Sequence, residues 1–324
     1  MALIVSSLSV PRPPLTLPKT AAATSSATTL TTRSPRLRFT ASSSSSSPSS
    51  PSPSSGGGYM DFPYATAPVR EVMVDLVSTV ESRIGSKLLP CSLPPDVAKY
   101  GNESGSAEAA LLVRSGVESS PIDFILGSWI YCQLPTGAAL NITSLSCYLN
   151  GSTDAPNFLV ELIQNGPTSL VLILDLPPRK DLVLHPDYLK TFYEDTQLDK
   201  HRQQIEKIPE VNPYVSTSLY LRCTVSPTAI FVTIKSEAGG AERLEEIVRD
   251  NVSVVAKDLL GKWLDVCLSG PREVEEDERS ILKRRDQVFK SKTIEIDLGS
   301  SLPRLFGQET ANRVLEALKG LFSA

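Results

Sequence analysis

Five strand-like runs follow one another between residues 106 and 176: "SAEAALLVRSG", "SPIDFILGSWIYCQL", "AALNITSLSCYLN", "NFLVELIQ" and "TSLVLILDL". Turn signals separate them, among them Asn150-Gly151 and Asn165-Gly166-Pro167. A parallel crossover needs a dozen or more residues, so connections this short bring neighbouring runs together antiparallel. Ahead of them, "APVREVMVDLVSTVESRIGSKLL" places Met73, Leu76, Val77, Val80 and Ile84 at helical spacing. After them the pattern predicts a polar amphipathic helix, "HPDYLKTFYEDTQLDKHRQQIEKI", and two more strands, "SLYLRCTVS" and "TAIFVTIKS". A long helix from Ala241 to about Leu268 and a charged helix follow, then a short strand "TIEIDL" and a last helix in "ETANRVLEALKGLF". The fold class is α+β, an antiparallel sheet with helices available for both faces.

One residue stands out against that frame. In "APNFLVELIQ", Glu161 interrupts an apolar run, sharing a strand face with Leu159 and Ile163 while Phe158, Val160 and Leu162 take the other. Both faces are apolar, as in "SLVLILDL", so the sheet is expected to be covered on both sides. Burial under a helical layer disfavours the anion, and a carboxylic acid that keeps its proton can donate it. The alternative is an edge glutamate that reaches solvent or pairs with an arginine.

The first 59 residues are a different material. Arg12, Lys19, Arg33, Arg36 and Arg38 lie in a Ser-, Thr-, Ala- and Pro-rich segment with no acid before Asp61. That composition predicts a plastid transit peptide running into a disordered Ser/Pro/Gly-rich stretch, with one catalytic domain over residues 60–324. "MALIVSSLSV" is too short to span a bilayer, and no later stretch reaches that length without charges. The whole chain carries 32 basic and 36 acidic residues; without the leader, 27 basic face 36 acidic ones. So acidic a chain lacks the basic face that nucleic-acid binding requires.

Cys91, Cys132, Cys147, Cys223 and Cys267 are odd in number and widely spaced, which suits neither a metal set nor a disulfide framework and predicts buried thiols. His185 and His201 flank one helix at a spacing unsuited to joint metal binding; His185 reads as a residue just ahead of a helix start. No glycine-rich nucleotide loop and no nucleophile elbow occurs. Redox chemistry here would need electrons from outside.

"GSWIYCQLPTGAALNITSLSCYLN", "APNFLVELIQ", "LVLILDLPPRKDLVLHPDYLKTFYEDTQLDKHRQ", "EVNPYVSTSLYLR" and "LPRLFG" together resemble the red chlorophyll catabolite reductases of plants, from about Met60 to the C-terminus. The resemblance implies a ferredoxin-dependent bilin-reductase-like fold, a three-layer α/β/α sandwich around a central antiparallel sheet. It implies an enzyme of chlorophyll breakdown in the chloroplast stroma that reduces red chlorophyll catabolite, an open-chain tetrapyrrole, to primary fluorescent chlorophyll catabolite. Reduced ferredoxin would be the external donor, no prosthetic group or metal would be bound, and a homodimer and contact with pheophorbide a oxygenase are expected.

By the same resemblance Glu161 and Asp297 are the catalytic carboxyls, and Tyr214, Val215, Ser216 and Val225 line the substrate pocket, Val225 as a steric selector. In "TIEIDL", read as a strand, Asp297 would share a face with Glu295 and look solvated, so only the resemblance gives it a role. Ferredoxin is acidic, and "LKRRDQVFKSK" offers Lys283, Arg284, Arg285, Lys290 and Lys292 for docking, where the plain reading is a solvated helix face. Two other functions fit the residues: a non-catalytic tetrapyrrole carrier, and an interaction protein without pigment affinity.

Overall fold

The consecutive runs become consecutive strands in the computed structural model, which describes residues 60–134, 137–268 and 274–323; the leader lies outside them. A short β1 (Lys99–Gly101) opens the sheet, followed by β2 (Ala107–Ser115), β3 (Ile122–Gln133), β4 (Ala139–Leu149), β5 (Phe158–Gln164) and β6 (Ser169–Asp175). β7 (Val211–Pro213) and β8 (Ile230–Lys235) complete it. All neighbours pair antiparallel in the order β1-β2-β3-β4-β5-β6-β8-β7, so a three-residue strand lies at each edge.

Alternation along the strands divides the core in two. Phe158, Val160 and Leu162 of β5, with Leu172 and Leu174 of β6, pack under α1 (Ala67–Ile84), α6 (Gly240–Ile247) and α7 (Ser253–Lys262). Leu159 and Ile163, with Val171 and Ile173, pack under the C-terminal helices through Ile294, Leu298, Leu302, Phe306 and Val314. Every residue of β5 is buried, which is why its sequence shows no polar alternation. Burying one such aliphatic side chain contributes roughly 1.5–3 kcal/mol, so both covers are strongly held.

The C-terminal cover consists of α8 (Glu276–Thr293), a wider helical turn over Ile294–Leu298, α9 (Gly299–Phe306) and α10 (Gln308–Ser323). An internal cation fastens α8. Arg179 is completely buried; its guanidinium pairs with Asp286 at 2.6 Å and donates to the carbonyls of Thr153 (2.6 Å) and Asn150 (3.0 Å). Lys180 binds Asp154 at 2.7 Å and also Glu278. Lys290, predicted as a surface cation, is likewise buried and paired with Asp123.

Two predicted strands are helical. "SLYLRCTVS" forms α5 (Leu219–Thr224), whose cap is Ser218; its Oγ accepts from the Leu221 N–H at 3.2 Å, satisfying a donor that a strand would have left to a neighbour. "TIEIDL" continues α8: Ile294 and Leu298, four residues apart, are the buried pair, whereas Ile296 is only partly covered. The alternation there imitates a strand although the burial has helical period.

The helix expected after His185 is broken into α3 (Pro186–Leu189), a wide turn over Lys190–Glu194, and α4 (Asp199–Glu206); Gln197 takes a left-handed φ of 56° between them. His185 does stand just ahead of α3. Cys132, Cys147 and Cys267 are buried as expected, but Cys91 and Cys223 are exposed. Among the described residues no helix is long and apolar enough to cross a membrane.

Candidate active site

Strand register collects the polar residues of the sheet into one row. In an antiparallel sheet, directly opposed residues share a face. Ser128 opposes Ser144, Ser144 opposes Glu161, Glu161 opposes Ile173, and Ile173 opposes Phe231. Tyr214 extends the row beyond β7: its N–H donates to the Phe231 carbonyl at 2.9 Å, and the two rings lie 5.0 Å apart. Two residues expected at the site, Glu161 and Tyr214, therefore fall on one line across the sheet. Adjacent strands are about 4.8 Å apart, so roughly 14 Å separates them, the scale of an extended conjugated ligand. Glu161 is 0 % exposed, and the Ser128 and Ser144 hydroxyls meet at 2.6 Å beside it.

A second acid, not singled out from sequence, lies in the adjoining row. Leu159 opposes Asp175, which puts Asp175 diagonal to Glu161 on the same face. Diagonal neighbours are roughly 7–8 Å apart, within reach of a shared ligand or bridging water. Asp175 is 1 % exposed, and burial pushes its carboxyl up to about 6 against hydrogen bonds from Ser226 and the Leu176 N–H. The Ser226 hydroxyl donates to it at 2.5 Å and the Ser226 N–H at 3.0 Å. Asp175 thereby holds the corner at Val225, which is half-buried against the same core as Leu159 and Ile163.

The segment after β7 is divided. Tyr214 packs on Phe231; Ser216 is buried, its Oγ accepting from the Ser218 N–H at 3.1 Å; Val215 is 70 % exposed and turned to solvent. Asp297 lies in the helical turn between Ile294 and Leu298, both packed over the Glu161 face, so its backbone belongs to the cover rather than the sheet. The Asp297 side chain lies outside the described residues.

The basic run of α8 is divided as well. Lys283 and Arg284 are exposed and Arg285 is half-buried, whereas Lys290 is consumed by Asp123 and Lys292 pairs with Glu295 at 2.7 Å. Lys283 and Lys290 line a groove with Glu118 and Asn150, while Arg284 and Arg285 line a cleft of about 940 Å³ between α5, α8 and the 179–185 segment. Phe289 borders this cleft and also a gap of about 10 Å³, enclosed by Ser146, Tyr148, Leu159 and Thr293, that touches the Glu161 face of the sheet. Among the described residues no group of three or more His, Cys, Asp or Glu is arranged to hold a metal ion.

Comparison with known proteins agrees with this architecture. The profile of the family described as "Red chlorophyll catabolite reductase (RCC reductase)" matches residues 68–320. The chain is 57 % identical over 267 residues to "Red chlorophyll catabolite reductase, chloroplastic" of Arabidopsis thaliana, covering 82 % of this chain and 83 % of that one. It is 49 % identical over 255 residues to "Red chlorophyll catabolite reductase 1, chloroplastic" of Oryza sativa subsp. japonica, covering 78 % and 77 %. Among solved structures, tomato phytochromobilin synthase in complex with biliverdin has the same fold at 16 % identity, with a TM-score of 0.60 over 77 % of this chain and 83 % of that one.

Proposed function

The chain belongs to the red chlorophyll catabolite reductase family, an oxidoreductase family of chlorophyll breakdown, and from that premise we propose a division of labour among its residues. The pigment, red chlorophyll catabolite, lies against the sheet face that carries Glu161 and under the C-terminal helices. Reduced ferredoxin supplies two electrons one at a time, the enzyme supplies two protons, and the pigment leaves as primary fluorescent chlorophyll catabolite. The carrying observation is the position of Glu161: wholly buried, midway across the sheet, in one row with Tyr214. Burial of this kind lets a carboxylic acid keep its proton for a reduced ligand rather than lose it to water.

In this reading Glu161 protonates the pigment radical formed by the first electron. Asp297 is the second carboxyl, delivered from the covering turn. Tyr214 and Ser216 orient the ligand, Val215 borders the pocket mouth, and Val225 limits the tilt of the ring from the corner that Asp175 holds. Lys283 and Arg284 remain as the ferredoxin-facing cations of α8, since Lys290 is buried in an ion pair. A stromal location follows the names of the plant relatives. Homodimer formation and contact with pheophorbide a oxygenase are parts of the proposal that rest on family likeness alone.

The test is an anaerobic mixture of purified protein, red pigment, ferredoxin and a ferredoxin-reducing system, followed by chromatography. Fluorescent product formed over many turnovers is the expected result. Stoichiometric pigment binding with no product would replace the enzyme by a carrier.

A further inference from the structure

The cleft between α5, α8 and the 179–185 segment is placed, sized and charged to take one end of a long ligand. We propose that it is the entrance for the pigment and that Arg285 on its wall binds the pigment's carboxylate; this rests on the family reading above.

At about 940 Å³ the cleft falls at the upper end of the range of small-molecule sites. Its walls are apolar and uncovered: Leu184 is 75 % exposed, Ile281 67 % and Val288 51 %, with Tyr220 and Phe289 between them. Apolar side chains gathered around one concavity mark a binding surface, whereas scattered ones do not.

The charges of the cleft are mostly spoken for. Arg179 is held by Asp286, and Lys180 by Asp154 and Glu278. Asp181 accepts the N–H groups of Val183 (2.8 Å) and Leu184 (3.1 Å). Glu275 and Asp277 lie at the N-terminal end of α8, two turns or roughly 12 Å from Arg285. Arg285 is half-buried and makes no ion pair among the described residues. Its guanidinium faces inward: burial raises the hydroxyls of Tyr220 and Tyr193, and the Arg285 charge opposes that rise in both. A guanidinium among aromatic and aliphatic walls, with its donors uncommitted, suits a carboxylate.

The route inward begins one helical turn further on. Phe289 lies four residues after Arg285, on the same helix face, and borders both the cleft and the gap at Ser146 and Leu159. Leu159 is two residues from Glu161 on one strand face, roughly 7 Å away. A ligand anchored by its carboxylate at Arg285 runs past Phe289, which must swing aside, toward the proton donor. Arg284, exposed on the rim, stays available to a protein partner.

The cleft contains its own reporter, because exposed Cys223 lines it, whereas exposed Cys91 does not. The experiment titrates the protein and its Arg285→Gln variant with red chlorophyll catabolite and with the methyl ester of its carboxyl, and maps maleimide labelling by peptide mass. Wild type is expected to bind the free acid about tenfold or more tighter than the ester. Arg285→Gln should equalise the two while keeping its affinity for the ester, which also reports an intact fold. Saturating pigment should slow labelling at Cys223 and leave Cys91 unchanged. Equal affinity of wild type for acid and ester, or unprotected Cys223 at saturation, overturns the entrance and leaves the family reading standing. Failure of wild type to bind either pigment overturns that reading itself. Loss of ferredoxin-dependent turnover in Arg285→Gln with unchanged pigment affinity would assign the arginine to docking instead.

Discussion

Glu161 and Asp175 share a sheet face, yet different measurements report on them. Glu161→Gln keeps the shape and removes the proton: pigment affinity by absorbance titration should stay within about twofold, while turnover falls by about 100-fold or more. Undiminished turnover would end the proton-donor assignment. Asp175 is tested through stability. Its carboxyl is raised from 3.8 to about 6, so between those values the folded state binds more protons than the unfolded one. Stability from this group is complete below about pH 4 and is lost as pH rises through 6, by about 3 kcal/mol in all. Urea unfolding of Asp175→Asn at pH 4.5 and 7 should show a smaller loss than wild type; parallel curves would contradict the burial argument. Glu161 was legible because a charge stands out amid aliphatic neighbours. Asp175 was not, because it ends its run, where an acid reads as a strand boundary. Only the Leu159–Asp175 register, set by the hairpin at Asn165-Gly166-Pro167, turns it onto the Glu161 face.

At the scale of elements, the cover over the site depends on how α8 is held. Arg179 is wholly buried against Asp286, and removing one partner leaves the other charge uncompensated. Arg179→Met should cost roughly 3–5 kcal/mol in denaturant unfolding. The double variant Arg179→Met/Asp286→Leu should recover a large part of that, giving a favourable coupling in the double-mutant cycle. Additive losses would mean that the carbonyls of Thr153 and Asn150, not the carboxylate, provide the hold. The long elements were readable, since each repeats its period several times. α5 and the Ile294–Leu298 turn were misread because six residues cannot distinguish period 2 from 3.6 when caps and tertiary burial decide. That misreading also put Asp297 on a strand and made its placement over the site invisible to pattern.

For the whole molecule, the acidic balance makes docking of acidic ferredoxin a local matter. With ferredoxin limiting, kcat/KM for ferredoxin should fall steeply as salt rises, and Lys283→Glu/Arg284→Glu should both lower it and flatten the slope. A flat wild-type profile would remove α8 from the docking surface. The layered α+β plan was visible in the sequence, because six of the eight strands follow the chain in spatial order. The reversal β6-β8-β7 was hidden, since β7 is only three residues long. That brevity has its own consequence. A protein with two greasy faces and twelve-residue inner strands is a template for fibrils if its margins are open. Here both margins are stubs, and one carries Pro213, which has no amide hydrogen to offer a newcomer. Polymerisation by strand addition finds little purchase, so any self-association has to proceed through the helical layers.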